Sequence, residues 1–218
     1  VLIFLGLPPA VANGTNRVAI VIQTATAVAG FKSKGVSTFP FNVYLGVSAL
    51  VGAIIGARIA VDVDGAAFNR ILAIIMVVVI LIIIFKPKTN LNNIHERLTG
   101  KYLWIGMIAF FFFGIYGGFI NAGLGFIMIF FLHYFNHMTL VRANATKVAV
   151  VFLYMLSALA VFALNDKVEW TIGLVLAIGN ASGAWISSRV SVKKGDAFIR
   201  TFLVIMVAVM AVKLWFFT

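Results

Sequence analysis

Residues 102–132 read YLWIGMIAFFFFGIYGGFINAGLGFIMIFFL, 31 residues without a charge. A straight helix of that length would run ~46 Å, against a hydrocarbon core of ~30 Å. One simple span does not fit the stretch. Its middle carries five glycines, Gly114, Gly117, Gly118, Gly123 and Gly125, with Asn121 among them. That cluster marks a helix break, and Gly117, Gly118, Gly123 and Gly125 are its candidate hinge residues. Broken backbone at membrane depth is tolerated only where protein buries it or where it lines a wet cavity. Just beyond lies Arg142-Ala143-Asn144-Ala145-Thr146-Lys147, a cationic, amide-rich start to the next apolar run. Freed backbone amides beside a buried cation suit an anion.

Working outward, the composition sets the class. Hydrophobic residues make up 63% of the chain, charged residues 11%, and mean hydropathy is +1.11. A soluble domain is nearer half apolar and a quarter charged. The expected fold is therefore an all-α integral membrane protein, a polytopic helical bundle of about eight spans. Seventeen Lys and Arg against six acids give a net charge of +11. In so apolar a chain those cations flank spans and meet anionic head groups, so no nucleic-acid partner is expected. There is no cysteine, hence no disulfide or thiol chemistry.

The spans read in order as follows. Val1 to Gly6 is the tail of one, and Leu7-Pro8-Pro9 turns the chain. The next covers about Ala12 to Phe31 and takes Arg17 some way inside. Pro40 to Ala60 follows, with the small-residue stripe Ser48, Gly52, Gly56 that admits a close helix neighbour. Ala66 to Phe85 is the fourth. After the broken span come Ala143 to Leu164, Trp170 to Ser188 and Ala197 to Phe217.

The two halves are a repeat. Residue n placed on n+130 sets Arg17 on Lys147, Val18 on Val148, Ala19 on Ala149, Gly65 on Gly195, Phe68 on Phe198 and Arg70 on Arg200. A three-residue shift between these blocks sets Gly52 and Gly56 on Gly179 and Gly183. This divides the chain into 1–87, a first four-span repeat whose first span is truncated, 88–101, a linker, and 102–218, a second four-span repeat. Broken helices then sit at the repeat interface, the usual place for a transported solute. The partner of residues 102–132 is expected ~30 residues before Val1. A broken span that crosses once makes the repeats parallel, and one that re-enters changes the parity.

Leu7-Pro8-Pro9-Ala10-Val11-Ala12-Asn13-Gly14-Thr15-Asn16-Arg17-Val18-Ala19 resembles the first-repeat signature of the TauE/SafE sulfite exporter family. Ala143 to Val148 resembles its second-repeat counterpart, and Gly117 to Gly125 its Gly-rich segment. Phe126 departs from the fuller glycine run of the family. The resemblance implies a bacterial inner-membrane transporter for sulfite, sulfonates or related organosulfur anions.

The residues carry the same expectation. A cation at mid-depth costs ~2.5–3.5 kcal/mol on insertion scales, so it faces a partner or a cavity. Arg17 and Lys147 are read as a paired anion clamp, or else as snorkelling end charges. Asn13, Thr15, Asn16, Asn144 and Thr146 supply oxyanion donors or N-caps. Asn121 lines the path or bonds a neighbouring helix. His133 and His137 are candidates for carrying coupling protons, or sit at the interface. No nucleophile with a base and no clustered metal ligands are present, so no enzyme, cofactor or metal is expected. The partners expected are a small anionic substrate, coupling protons or other ions, the lipid bilayer and further copies of the chain. The alternatives are a membrane accessory or scaffold subunit, which would pack both cations against acids or carbonyls, and an anion channel.

Overall fold

The computed structural model of the chain describes Leu2, residues 6–64, Ala67 and residues 96–217; for Arg200 and residues 202–217 it describes the backbone alone. The expected span Ala66 to Phe85, most of the stub Val1 to Gly6, the repeat block around Phe68 and Arg70, and most of the linker 88–101 lie outside the described residues. Among the described residues six helices follow one another: α1 Pro9–Lys32, α2 Phe41–Asp62, α3 Lys101–Phe119, α4 Leu124–Tyr134, α5 Leu140–Leu164 and α6 Trp170–Phe217. Gly195, at φ 70° and ψ −167°, breaks α6 where the sequence placed a boundary between two spans. Among the described residues four stretches are long and apolar enough to cross a membrane: α2, α3, α5 and Trp170–Ile199 of α6. The protein is an integral membrane protein.

Two helices begin earlier than the sequence suggested. Pro9 opens α1, where its fixed φ and missing N–H suit a first turn. Thr139 caps α5 by accepting the Arg142 amide at 3.3 Å. The Asp196 carboxylate adds bonds from the Leu140 and Val141 amides at 2.9 and 3.0 Å, an anion at the positive end of a helix. Asn13, Thr15, Asn16, Asn144 and Thr146 therefore lie inside helices, whose own turns bond their amides. The expectation that these five residues begin their helices is corrected accordingly.

The break in residues 102–132 is real, and it reverses the chain. Ile120 closes α3 by donating to the Tyr116 carbonyl at 2.9 Å. Asn121 and Gly123 take the left-handed region, at φ 65° and 71°; Asn and Gly are the residues that visit it at least cost. α4 then returns beside α3. The Phe131 ring packs on Phe110 and Phe113, and Phe135 on Tyr102. Beyond α4, Asn136 exchanges bonds with Arg97 just before α3 begins. The stretch is a helical hairpin. Eleven residues give α4 ~16 Å, too short to cross alone.

The remaining directions follow from paired contacts. α2 and α3 run parallel and almost touch. Ser48 donates to the Met107 carbonyl at 2.6 Å. A Cβ on Gly52 or Gly56 would overlap the Phe111 or Ile115 carbonyl, and one on Gly114 or Gly118 would overlap Ala49 or Ala53. Among apolar side chains in lipid, such backbone proximity is what holds helices together. α2 also runs parallel to α5, with Thr38 against Thr146 and Leu50 against Ser157. α1 runs parallel to α6, since Gly173 meets Val18 and Gly30 meets Ser188. α1 and α5 are antiparallel: Gly14 meets Phe162, while Phe31 shares a cluster with Ala145 and Val148. The polar helix α1 thus sits inside, between α5 and α6, with the tip of the hairpin on its flank. Val43, Val47, Val51, Ile55 and Ile59, four apart, leave one face of α2 exposed and apolar, as lipid requires.

Candidate functional site: two cations at a helix break

Arg17 lies eight residues into α1, ~12 Å from its start, and is 1% exposed. Its guanidinium grips the end of α3. Nη1 donates to the Gly117 carbonyl at 3.2 Å, and Nη2 to the Gly118 and Phe119 carbonyls at 2.5 and 3.3 Å. The same fork reaches Asn13 Oδ1 at 3.4 Å and the Met155 sulfur at 3.5 Å. Asn13 donates in turn to the Phe119 carbonyl at 2.7 Å. The last carbonyls of a helix have no partner within it and carry the negative end of its dipole. One planar cation with five donors satisfies three of them at once. The Phe162 ring covers its other side at 4.5 Å, and Nε has no hydrogen-bond partner.

Lys147 lies seven residues into α5, ~10 Å from its start. Because α1 and α5 are antiparallel, the two cations enter from opposite faces. Lys147 approaches α4 at its first turn: a Cβ on Gly125 would meet the lysine Cδ at 3.6 Å and Nζ at 3.8 Å. Gly123 at the N-cap adds no side chain to that approach. No hydrogen bond or ion pair holds the ammonium among the described residues. Arg17 is therefore bound at the negative end of α3, whereas Lys147 stands free at the positive end of α4.

The other candidates divide. Asn121 accepts from the Tyr154 hydroxyl at 2.6 Å, and Tyr116 donates to the Ala122 carbonyl, so both tyrosines fix the loop between α3 and α4. Sequence reasoning passed over Tyr154, although a lone phenol in the apolar run 148–164 signals a buried partner. Thr15 accepts from the Glu169 amide at 2.9 Å, and Thr146 bonds Thr38 at 2.9 Å, each tying a helix to the loop before its neighbour. Asn16 is exposed on the outer face of α1. Asn144 shares a face of α5 with Lys147, three residues away. His133 is buried with Nδ1 on the Met138 carbonyl at 2.7 Å. His137 turns the link between α4 and α5 at φ 53°. Its imidazole is held below the ordinary histidine value, first by desolvation and then by Arg97 and His133. A cavity of about 280 Å³ lies between the α1–α2 loop and α5, lined by Lys32, Thr38, Asn42, Ala145 and Ala149. It stands apart from Lys147.

Comparison with known proteins identifies relatives of the chain. The profile of the sulfite exporter TauE/SafE family matches residues 1–214. A probable membrane transporter protein of Haemophilus influenzae is 28% identical over 213 residues, 98% of this chain and 83% of that one. A probable membrane transporter protein of Sinorhizobium sp is 26% identical over 214 residues, 98% and 81% of the two chains. The probable membrane transporter protein YfcA of Escherichia coli K12 is 28% identical over 210 residues, 96% and 77%. No solved structure matches.

Proposed function

Because the chain belongs to the sulfite exporter TauE/SafE family of membrane transporters, we propose that it carries a small oxyanion, held near mid-membrane by Lys147 and the first turn of α4. Sulfite, a sulfonate, or a related organosulfur or carboxylate anion fits the chemistry. The observation that carries the reading is the ammonium of Lys147 beside Gly125, without a hydrogen bond or ion pair among the described residues. A cation at that depth is costly to leave alone, and an anion offsets the cost. The Leu124 and Gly125 amides at the start of α4 have no preceding turn to bond them, and the helix dipole adds to their pull. Asn144, on the same face as Lys147, is positioned to add a donor. Arg17 in this reading is no ligand: it fixes the end of α3, so that the α4 amides stay aimed.

The repeat completes the mechanism. α1 and α5 correspond under the n+130 offset and run antiparallel, which favours inverted repeats of residues 1–87 and 102–218. Rocking of one repeat against the other would expose the Lys147 site to each side in turn. The accessory-subunit reading draws support from Arg17, which is packed on carbonyls, but leaves Lys147 without a role.

The test is uptake into proteoliposomes of sulfite, sulfoacetate, taurine, acetate and sulfate. Saturable uptake of one anion class is expected, lost in Lys147→Ala. If folded protein moves none of the five, the oxyanion reading falls and the accessory subunit takes its place.

A further inference from the structure

The repeat matches α2 to α6, yet the two are packed unequally. α2 has helices on two sides, α3 and α5. Gly52 and Gly56 are the residues that let the α3 backbone reach it. Gly179 and Gly183 are their counterparts in α6, and a Cβ at either meets nothing within 4 Å. Among the described residues α6 packs on α1 through the stripe Gly173, Ala177, Ala184 and Ser188. Among the described residues nothing packs on the face of Gly179 and Gly183, where Val175, one turn before Gly179, is 66% exposed.

Under an inverted repeat the trio α5, α2, α3 corresponds to α1, α6 and one helix more. We propose that the Gly179/Gly183 face of α6 is the docking surface of that helix, contributed by the stretch preceding Val1 in the gene. It would run parallel to α6, as α3 runs parallel to α2, and present its own small residues as α3 presents Gly114 and Gly118. Three observations agree on this occupant. The face has the four-residue glycine spacing that its counterpart uses for a helix, not for lipid. The n+130 offset places the counterpart of α3 ahead of Val1. The Haemophilus and Sinorhizobium relatives extend beyond the matched region by about a sixth of their length or more, enough for a span. The inference rests on the inverted-repeat half of the functional reading and is independent of the substrate.

The experiment places a photoreactive benzoylphenylalanine at Val175, the counterpart of Ser48 that bonds α3, in the complete gene product and identifies the cross-linked peptide by mass spectrometry. A cross-link to a peptide preceding Val1 is the expected result. A cross-link to a second copy, to residues 68–95 or 202–217, or to lipid alone would overturn the proposal. Gly183→Leu in the same protein gives a second readout. It should lower the melting temperature by several degrees, and an unchanged melt would count against a docked helix. Neither readout involves transport, so a protein that moves no anion can still pass or fail this test.

Discussion

Arg17 and Lys147 lie 130 residues apart, eight and seven residues into their helices, and meet opposite ends of a broken helix. Arg17 is spent: three carbonyls of α3, Asn13 and the Phe162 face use its fork. Lys147 is unspent, its ammonium beside Gly125 at the start of α4. The residue types suit the two fates. A planar guanidinium with fixed donors is well matched to several carbonyls diverging from one helix end. A compact ammonium on a flexible stem can follow a ligand that comes and goes. The same place along the helix thus serves structure in α1 and stands free of protein partners, among the described residues, in α5.

The contrast breaks most visibly at Arg17. Replacing it with Ala strands the buried carbonyls of Gly117 and Gly118, each worth ~1–3 kcal/mol when left unsatisfied, while Phe119 keeps its bond from Asn13. Arg17→Ala is expected to lose on the order of 3–5 kcal/mol of stability, read as a large fall in melting temperature in detergent. Arg17→Lys should recover part of it, because a point charge cannot reach Gly117 and Gly118 together. A melt of Arg17→Ala superimposing on wild type would show that α3 needs no cap and would end the structural half of the comparison.

Lys147 should behave in the opposite way. No partner is left stranded by Lys147→Ala, so the melt is expected to hold while uptake falls at least tenfold, the equivalent of ~1.4 kcal/mol of lost binding. Lys147→Arg keeps the charge but not the reach, and intermediate uptake is expected. Unchanged uptake in Lys147→Ala would remove the site from α5.

How much of this contrast the sequence displayed depends on what carried it. The helix break was legible because five glycines within a dozen residues are hard to accommodate otherwise. Its reversal was not, since the hairpin is set by Phe131 on Phe110 and Phe135 on Tyr102, contacts between residues that any apolar run supplies. The depth of Arg17 was legible from the short uncharged run after it. Its partners were invisible: backbone carbonyls a hundred residues away leave no mark on the sequence. The start of α5 was misplaced for a related reason. Arg142 reads as a flanking charge, yet Thr139 and Asp196 extend the helix past it, and the Glu96 carboxylate pairs with it at 2.6 Å. The glycine spacing of α2 foretold a close neighbour but gave no hint that α3 would be it.

A finer probe of the free cation is Gly125→Ala. The added methyl would sit 3.6 Å from the Lys147 Cδ and 3.8 Å from Nζ, ordinary contact distances. Gly125 is helical, so Ala should leave stability unchanged or raise it by up to ~1 kcal/mol. The methyl would narrow the approach to the ammonium, and KM for the transported anion is expected to rise a few-fold with kcat little altered. A lower melting temperature would mean that the contact is tighter than the geometry states. An unchanged KM would mean that the anion approaches Lys147 from another side.

The smallest effect belongs to the link between the hairpin and α5. His137 is held below the ordinary histidine value by desolvation first, then by Arg97 and His133. At neutral pH it is therefore uncharged in the folded protein. As pH falls below the ordinary value near 6.5, the unfolded chain takes up this proton before the folded one does, so the group costs stability on the acid side. That loss stops growing once pH passes below the folded value. His137→Asn removes the titration and keeps the left-handed backbone, at φ 53°, that Asn tolerates. The variant is expected to melt like wild type at pH 8 and slightly higher than wild type at pH 5. If His137 instead carried the coupling proton, its loss would flatten the pH dependence of uptake between 6 and 8. The lowered value predicts the reverse: an uptake profile unchanged across that range, with the histidine acting only on the acid stability of the link between α4 and α5.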